Sequence, residues 1–138
     1  MQRQWFETSD GTRLNLSVYE THNARCVIQL IHGMNEHMGR YAEFADFCNS
    51  KGIIVVGDDH RGHGLTAGSK NMVGKADYDI FEKTLSDERE ITAYIKKKYQ
   101  LPVIVLGHSY GSFLTQKYIQ TESSQDIAGF ILSGTGKL

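Results

Sequence analysis

Pro102-Val103-Ile104-Val105-Leu106-Gly107-His108-Ser109-Tyr110-Gly111 is the stretch on which the reading of this chain turns. Its first five residues are a short, apolar, β-branched run of the kind that forms a strand buried on both faces. Residues 112–120 read as a helix. Between them, the Gly-x-Ser-x-Gly turn sets Ser109 on a sharp strand-to-helix bend, the context in which this motif presents a serine as nucleophile. The glycines have a physical task there. Strand and helix pass too closely for side chains, and glycine tolerates the strained backbone.

Working outward, the flanking segments repeat the strand–helix pattern. Residues 3–8 are strand-like, and Ser9-Asp10-Gly11 carries the Asp-Gly signal of a hairpin turn. Leu14, Leu16 and Val18 alternate with Asn15, Ser17 and Tyr19, which predicts a half-buried strand. Cys26-Val27-Ile28-Gln29-Leu30-Ile31 and Ile53-Ile54-Val55-Val56 are apolar strands, and a last one covers 127–132. Tyr41, Phe44, Ala45 and Cys48 mark one face of a helix that stops near Gly52. Phe81, Leu85, Ile91 and Ile95 stripe a longer helix ending near Tyr99. A polar, glycine-rich loop spans 57–78. On the long helix, Ser86-Asp87-Glu88-Arg89-Glu90 come early and Lys96-Lys97-Lys98 late, which suits the helix dipole and predicts a solvated face. Strands alternating with helices predict an α/β fold: a mostly parallel sheet with helices on both faces and an antiparallel hairpin leading at one edge.

The length of 138 residues bounds the chain at one domain. Its 15 basic and 16 acidic residues leave a net charge of −1, so there is no basic field for nucleic acid or an anionic membrane surface. No apolar run reaches transmembrane length, and Met1-Gln2-Arg3-Gln4-Trp5 lacks the apolar core of a signal peptide. Cys26 and Cys48 read as free thiols rather than a disulfide or metal pair, which fits a cytoplasmic location.

In a parallel sheet, ligands bind beyond the carboxyl ends of the strands. That rule brings His32-Gly33-Met34, the segment 58–64, His108-Ser109-Tyr110 and the segment 133–136 to one rim. His32-Gly33 directly follows a strand end, so the backbone N–H of Met34 and that of Tyr110 form a candidate oxyanion hole for Ser109. Tyr110 also opens a helix, whose first amides favour negative charge. In Asp58-Asp59-His60-Arg61-Gly62-His63-Gly64, a metal site from Asp58, His60 and His63 is the alternative to a tight structural loop. No further ligand cluster follows, and the favoured reading is that His63 and Asp58 hydrogen-bond loop backbone beneath the oxyanion turn. Gly134-Thr135-Gly136-Lys137 lacks the earlier glycine and following Ser/Thr of a phosphate loop. Neither a metal nor a cofactor is expected.

Three segments together resemble the α/β-hydrolases, and within them the monoacylglycerol lipase and lysophospholipase-like branch. They are His32-Gly33-Met34-Asn35-Glu36-His37 with Arg40-Tyr41, then Asp59-His60-Arg61-Gly62-His63-Gly64, then Gly107-His108-Ser109-Tyr110-Gly111. Leu65 and Thr66 stand where the family often has Ser. The resemblance covers essentially this whole chain but only the N-terminal half of the family's domain, through its sixth strand, without lid or C-terminal half. It implies a serine hydrolase of carboxylic esters acting through an acyl-enzyme on Ser109, with a small-molecule ester or lipid substrate.

In this fold the triad runs Ser, then Asp or Glu, then His in chain order. The six histidines, His22, His32, His37, His60, His63 and His108, all precede Ser109. The carboxylates after it, Glu122 and Asp126, fall between the last helix and strand, at the sheet end opposite Ser109. His108 is expected to point away from its neighbour, His32 to be structural, and His37 to lack a group that orients it. The chain is therefore expected to be inactive alone. Phe130-Ile131-Leu132, read as a strand buried on both faces, would be left at a sheet edge, a template for pairing. This predicts self-association or a complementing C-terminal half. The alternative is a catalytically dead, truncated or self-associating binding module.

Overall fold

The hairpin comes first. β1 (Gln2–Glu7) and β2 (Arg13–Tyr19) pair antiparallel, with Gln2 opposite Val18 and Glu7 opposite Arg13. Next come β3 (Cys26–Ile31), α1 (Ala42–Ser50), β4 (Ile53–Asp59), α2 (Ile80–Tyr99), β5 (Val103–His108), α3 (Tyr110–Ile119) and β6 (Gly129–Ser133). Short 3-10 turns lie at Met38–Tyr41, Lys70–Met72 and Glu122–Asp126. The computed structural model describes residues 1–138, the side chain of Glu122 excepted.

The sheet order is β1-β2-β4-β3-β5-β6. The first two pairings are antiparallel, and β4, β3, β5 and β6 run parallel. This is the expected α/β architecture with its leading hairpin at one edge. α1 covers one face, where Ala45 and Cys48 pack with Tyr19, Ile28, Leu30 and Val55. α2 covers the other, where Ile91 and Ile95 pack on Leu14, Leu16, Val18 and Val56. α3 lies beside α2, with Leu114 and Tyr118 against Ile31, Val105 and Leu85.

Three expectations are corrected. β2 is buried on both faces, not half-buried: Asn15, Ser17 and Tyr19 are as enclosed as Leu14, Leu16 and Val18. The reason is lateral position, since β2 lies between β1 and β4, with α1 over its polar face. β4 runs on through Gly57-Asp58-Asp59, residues assigned to the loop, because their backbones pair with Ser17, Leu16 and Asn15. The acidic start of α2 is not a solvated face: Asp87 is 1% and Glu88 0% exposed. β6 stands at the sheet edge, as expected: it pairs with β5 on one side, and Ile131 and Leu132 are 43% and 37% exposed.

Local chemistry terminates α2 where the sequence suggested. Gln100 caps it in the left-handed region at φ 53°, its N–H on the Lys96 carbonyl, and Pro102 then bars helix and starts the extended run. The elbow glycines meet hard limits. A Cβ on Gly111 would collide with the carbonyl oxygen of Ile31 and crowd that of His32, and one on Gly107 would strike Thr115 and the Gly111 carbonyl. Gly111→Ala is expected to destabilise the chain by about 1–3 kcal/mol. Gly129→Ala, with open space around it, should stay within about 0.5 kcal/mol of the parent. Urea denaturation of both variants checks the contrast.

Candidate active site

Ser109 stands between β5 and α3 at φ 52° and ψ −118°, a backbone conformation costly for any residue with a side chain. It is exposed, and its own N–H bonds the Ser133 carbonyl at 2.9 Å, tying the elbow to the end of β6. The turn after β3 reaches it directly. A Cβ on Gly33 would lie 3.2 Å from Ser109 Cβ. Met34 follows with its side chain 59% exposed, and Asn35 turns the chain at φ 61°. The N–H groups of Met34 and Tyr110 have no acceptor among the described residues. Ser109, Met34 and Tyr110 are thus brought to one place.

Glu36 organises this turn, a role the sequence reading did not give it. Its carboxylate accepts the Gly33 N–H at 2.8 Å and the Tyr41 hydroxyl at 2.7 Å, and Arg40 lies 3.5 Å away. Burial works against its charge, but the Tyr41 hydroxyl and Gly33 N–H hold the carboxyl below its usual range. The available signal was Asn-Glu placed two residues after His-Gly, a short acceptor beside unpaired turn amides.

His32 is structural, as expected. It is fully buried, with Nδ1 2.7 Å from the Gly33 carbonyl and Nε2 accepting the His60 N–H at 3.1 Å. A carbonyl only accepts and an N–H only donates, so His32 is the neutral Nδ1–H tautomer. Burial and the neighbouring His60 push its pKa down to about 3. The rings of His32 and His60 stack at 3.7 Å.

The loop after β4 departs from expectation. Its backbone is held by Asp59, which accepts the N–H groups of Met38 and Leu65 at 2.8 Å each, and so joins this loop to the turn after β3. Asp58 pairs instead with His60, 3.0 Å away. His63 does bond loop backbone, at the Arg61 carbonyl. Arg61 forks onto Asp87 with two 2.6 Å bonds and reaches Asp10 at 2.8 Å, pinning the loop to α2 and the hairpin. Beneath lies a polar core: Gln29 donates to Glu88, Thr92 donates to Gln29, and Tyr118 donates to Thr92. Glu88 and Thr92 lie on the stripe of Phe81, Leu85 and Ile95 at steps of four and three, the signal that marks them as buried. As for metal ligation, Asp58 and His60 meet Glu88 rather than His63, with one ligand-type atom of each within 4.8 Å of the others.

No other histidine completes a triad with Ser109. His108 turns away from it, Nδ1 3.1 Å from Ser133 Oγ, into a groove of about 370 Å³ with Tyr41, Phe44 and Ile131. His37 is exposed at the head of a 3-10 turn, and His22 is exposed in the turn before β3, at the far end of the sheet. Asp126 is also at that far end, ion-paired with Lys96 at 3.3 Å. The Glu122 side chain lies outside the described residues.

With this geometry in hand, similarity is informative. A family profile described as "Serine aminopeptidase, S33" matches residues 22–136. The chain belongs to this family of α/β-hydrolases. It is 38% identical over 92 residues to the "Monoglyceride lipase homolog" of Monkeypox virus, covering 66% of this chain and 32% of that protein. It is 32% identical over 109 residues to "Phospholipase YtpA" of Bacillus subtilis strain 168, covering 78% and 39%. Among solved structures, a thermostable carboxyl esterase from Bacillus coagulans superposes with TM-score 0.87 at 30% identity, over 98% of this chain and 44% of that one. The chain spans well under half the length of these relatives. No helix among the described residues is long and apolar enough to cross a membrane.

Two outcomes follow from the site's electrostatics. Between about 3 and 6.5, the folded and ordinary values of His32, the unfolded chain binds the extra proton. Stability from this residue therefore rises with pH through that window, by at most about 1.4 kcal/mol per pH unit. The deficit of His32→Gln relative to the parent in urea unfolding should accordingly shrink as pH falls from 7 to 4. Arg61→Ala strands the buried Asp87 carboxylate and should cost about 3–5 kcal/mol at pH 7, read as a lowered urea midpoint.

Proposed function

We propose that this chain carries the nucleophile half of a carboxylic-ester hydrolase of the monoacylglycerol lipase or lysophospholipase type. The observation that carries the reading is Ser109, exposed and strained on the elbow, beside the Gly33–Met34 turn. Ser109 Oγ attacks the ester carbonyl, the alcohol leaves, and an acyl-enzyme remains for water to hydrolyse. The free N–H groups of Met34 and Tyr110 receive the oxyanion, a contribution of about 3 kcal/mol per donor. Likeness to lipases and esterases supports an ester or lipid substrate.

The six histidines precede Ser109, and His32, His60, His63 and His108 are bonded to other groups. We assign the base and its orienting carboxylate to a C-terminal half outside residues 1–138, continuous with this chain or complementing it. Residues 1–138 form a partial domain, and alone they do not turn over ester. Residual acceleration without the triad is about 10³–10⁴ over water, negligible beside a complete site. A second reading, a catalytically dead self-associating module, is favoured by the exposed Ile131 and Leu132 on β6; a single-chain mass by light scattering would sink it.

The hydrolase reading is tested with a fluorophosphonate probe and a short-chain p-nitrophenyl ester. Residues 1–138 alone should hydrolyse the ester no faster than their Ser109→Ala variant. Added imidazole, standing in for the missing base, should produce labelling and turnover that Ser109→Ala abolishes. Equal rates for both proteins at every imidazole concentration would refute Ser109 as nucleophile.

A further inference from the structure

The polar core beneath the oxyanion turn holds more acceptors than its visible donors can serve. Asp58 and Glu88 are 0% exposed and His60 is 1% exposed. His60 Nε2 lies 3.1 Å from the His32 carbonyl oxygen, which only accepts, so Nε2 bears a proton. His60 Nδ1 lies 3.0 Å from Asp58 Oδ1 and 3.4 Å from Glu88 Oε1, so it also faces acceptors and bears one. With both ring nitrogens donating, His60 is an imidazolium and has no lone pair for a metal ion. Glu88 Oε2 is served by Gln29 at 2.7 Å. Glu88 Oε1 and Asp58 Oδ2 are buried with no donor among the described residues. An oxygen of each carboxyl group lies within 4.8 Å of the other, and two bare carboxylates at that separation repel. One proton between them satisfies both.

We propose that Asp58, Glu88 and His60 form a buried proton-sharing cluster, carboxylate, carboxylic acid and imidazolium respectively, that positions the His32–Gly33 turn. The cluster is electrically neutral, which is what full burial demands. It acts through His60, whose N–H and Nε2–H grip His32 on two sides. His32 then donates Nδ1–H to the Gly33 carbonyl and so orients the peptide that leads into Met34. The remaining charged neighbours are already committed. Asp59 accepts from Met38 and Leu65, Asp87 is forked by Arg61, and His63 bonds the Arg61 carbonyl. The proton affinities run the same way. Burial and the Asp58 charge raise Glu88 well above the carboxylate range. Burial works against the charges of Asp58 and His60, but their mutual attraction outweighs it, lowering Asp58 and raising His60.

Calling His60 and Glu88 positioning residues rests on the hydrolase reading above; the proton arrangement does not. The test therefore uses spectroscopic readouts on the full 138-residue chain. At pH 7, ¹⁵N NMR should show His60 with both ring nitrogens protonated and His32 as the Nδ1–H tautomer. Infrared spectra should show one protonated carboxylic acid, absent in Glu88→Gln. Because Gln keeps a donor toward Asp58, Glu88→Gln should retain both histidine signatures. Glu88→Leu should speed exchange of the Gly33 amide about tenfold, with β1 amides unchanged. An ionised Glu88 or a neutral His60 in the parent would overturn the proposal, as would a divalent cation retained at one per chain. Intact signatures with no Ser109-dependent labelling or turnover at any imidazole concentration would instead refute the hydrolase reading alone.

Discussion

The contact on which the rest depends is the Gly111 backbone laid against the carbonyl ends of Ile31 and His32, where no side chain would fit. It brings the head of α3 within reach of the end of β3 with no side chain between them. At that separation the Gly33 turn lies against Ser109. The glycines thus set a distance, and the strained φ of Ser109 is its consequence.

Holding the far side of that contact is electrostatic work. The turns after β3 and β4 carry amides that helix or sheet pairing does not use, and each named here is given an acceptor or left free. Gly33 goes to Glu36, Met38 and Leu65 go to Asp59, and Met34 is left open. Buried charge is dangerous unless compensated, and here Arg61 pairs with Asp87, His60 with Asp58, and Asp59 is held by the Met38 and Leu65 amides. The result is a hydrogen-bonded floor beneath an exposed serine.

Much of this was legible. The elbow, the apolar strands and the Asp-Gly hairpin follow from local chemistry, and the fold class follows from their alternation. The three motifs at Gly33, Asp59 and Ser109 were enough to name the family. Less legible were the roles inside the motifs. Asp58 and Asp59 are adjacent and chemically identical, yet strand pleating sends one to His60 and the other to the loop amides. Glu88 carries the charge of a surface acid, but its place on the apolar stripe of α2 buries it.

By itself, then, the sequence determined the periodicities, the tight turn and the order of Ser109 and the histidines along the chain, because these are properties of covalent neighbours. Tertiary structure alone decided that β2 is enclosed on both faces, that Glu36 and Asp59 anchor the turn, and that Gln29, Asp58, His60 and Glu88 share one buried space. Those residues lie on different strands, helices and loops. Their meeting, and the proton states it imposes, exist only once parallel pairing sets β3 beside β4 and packing lowers α2 onto both.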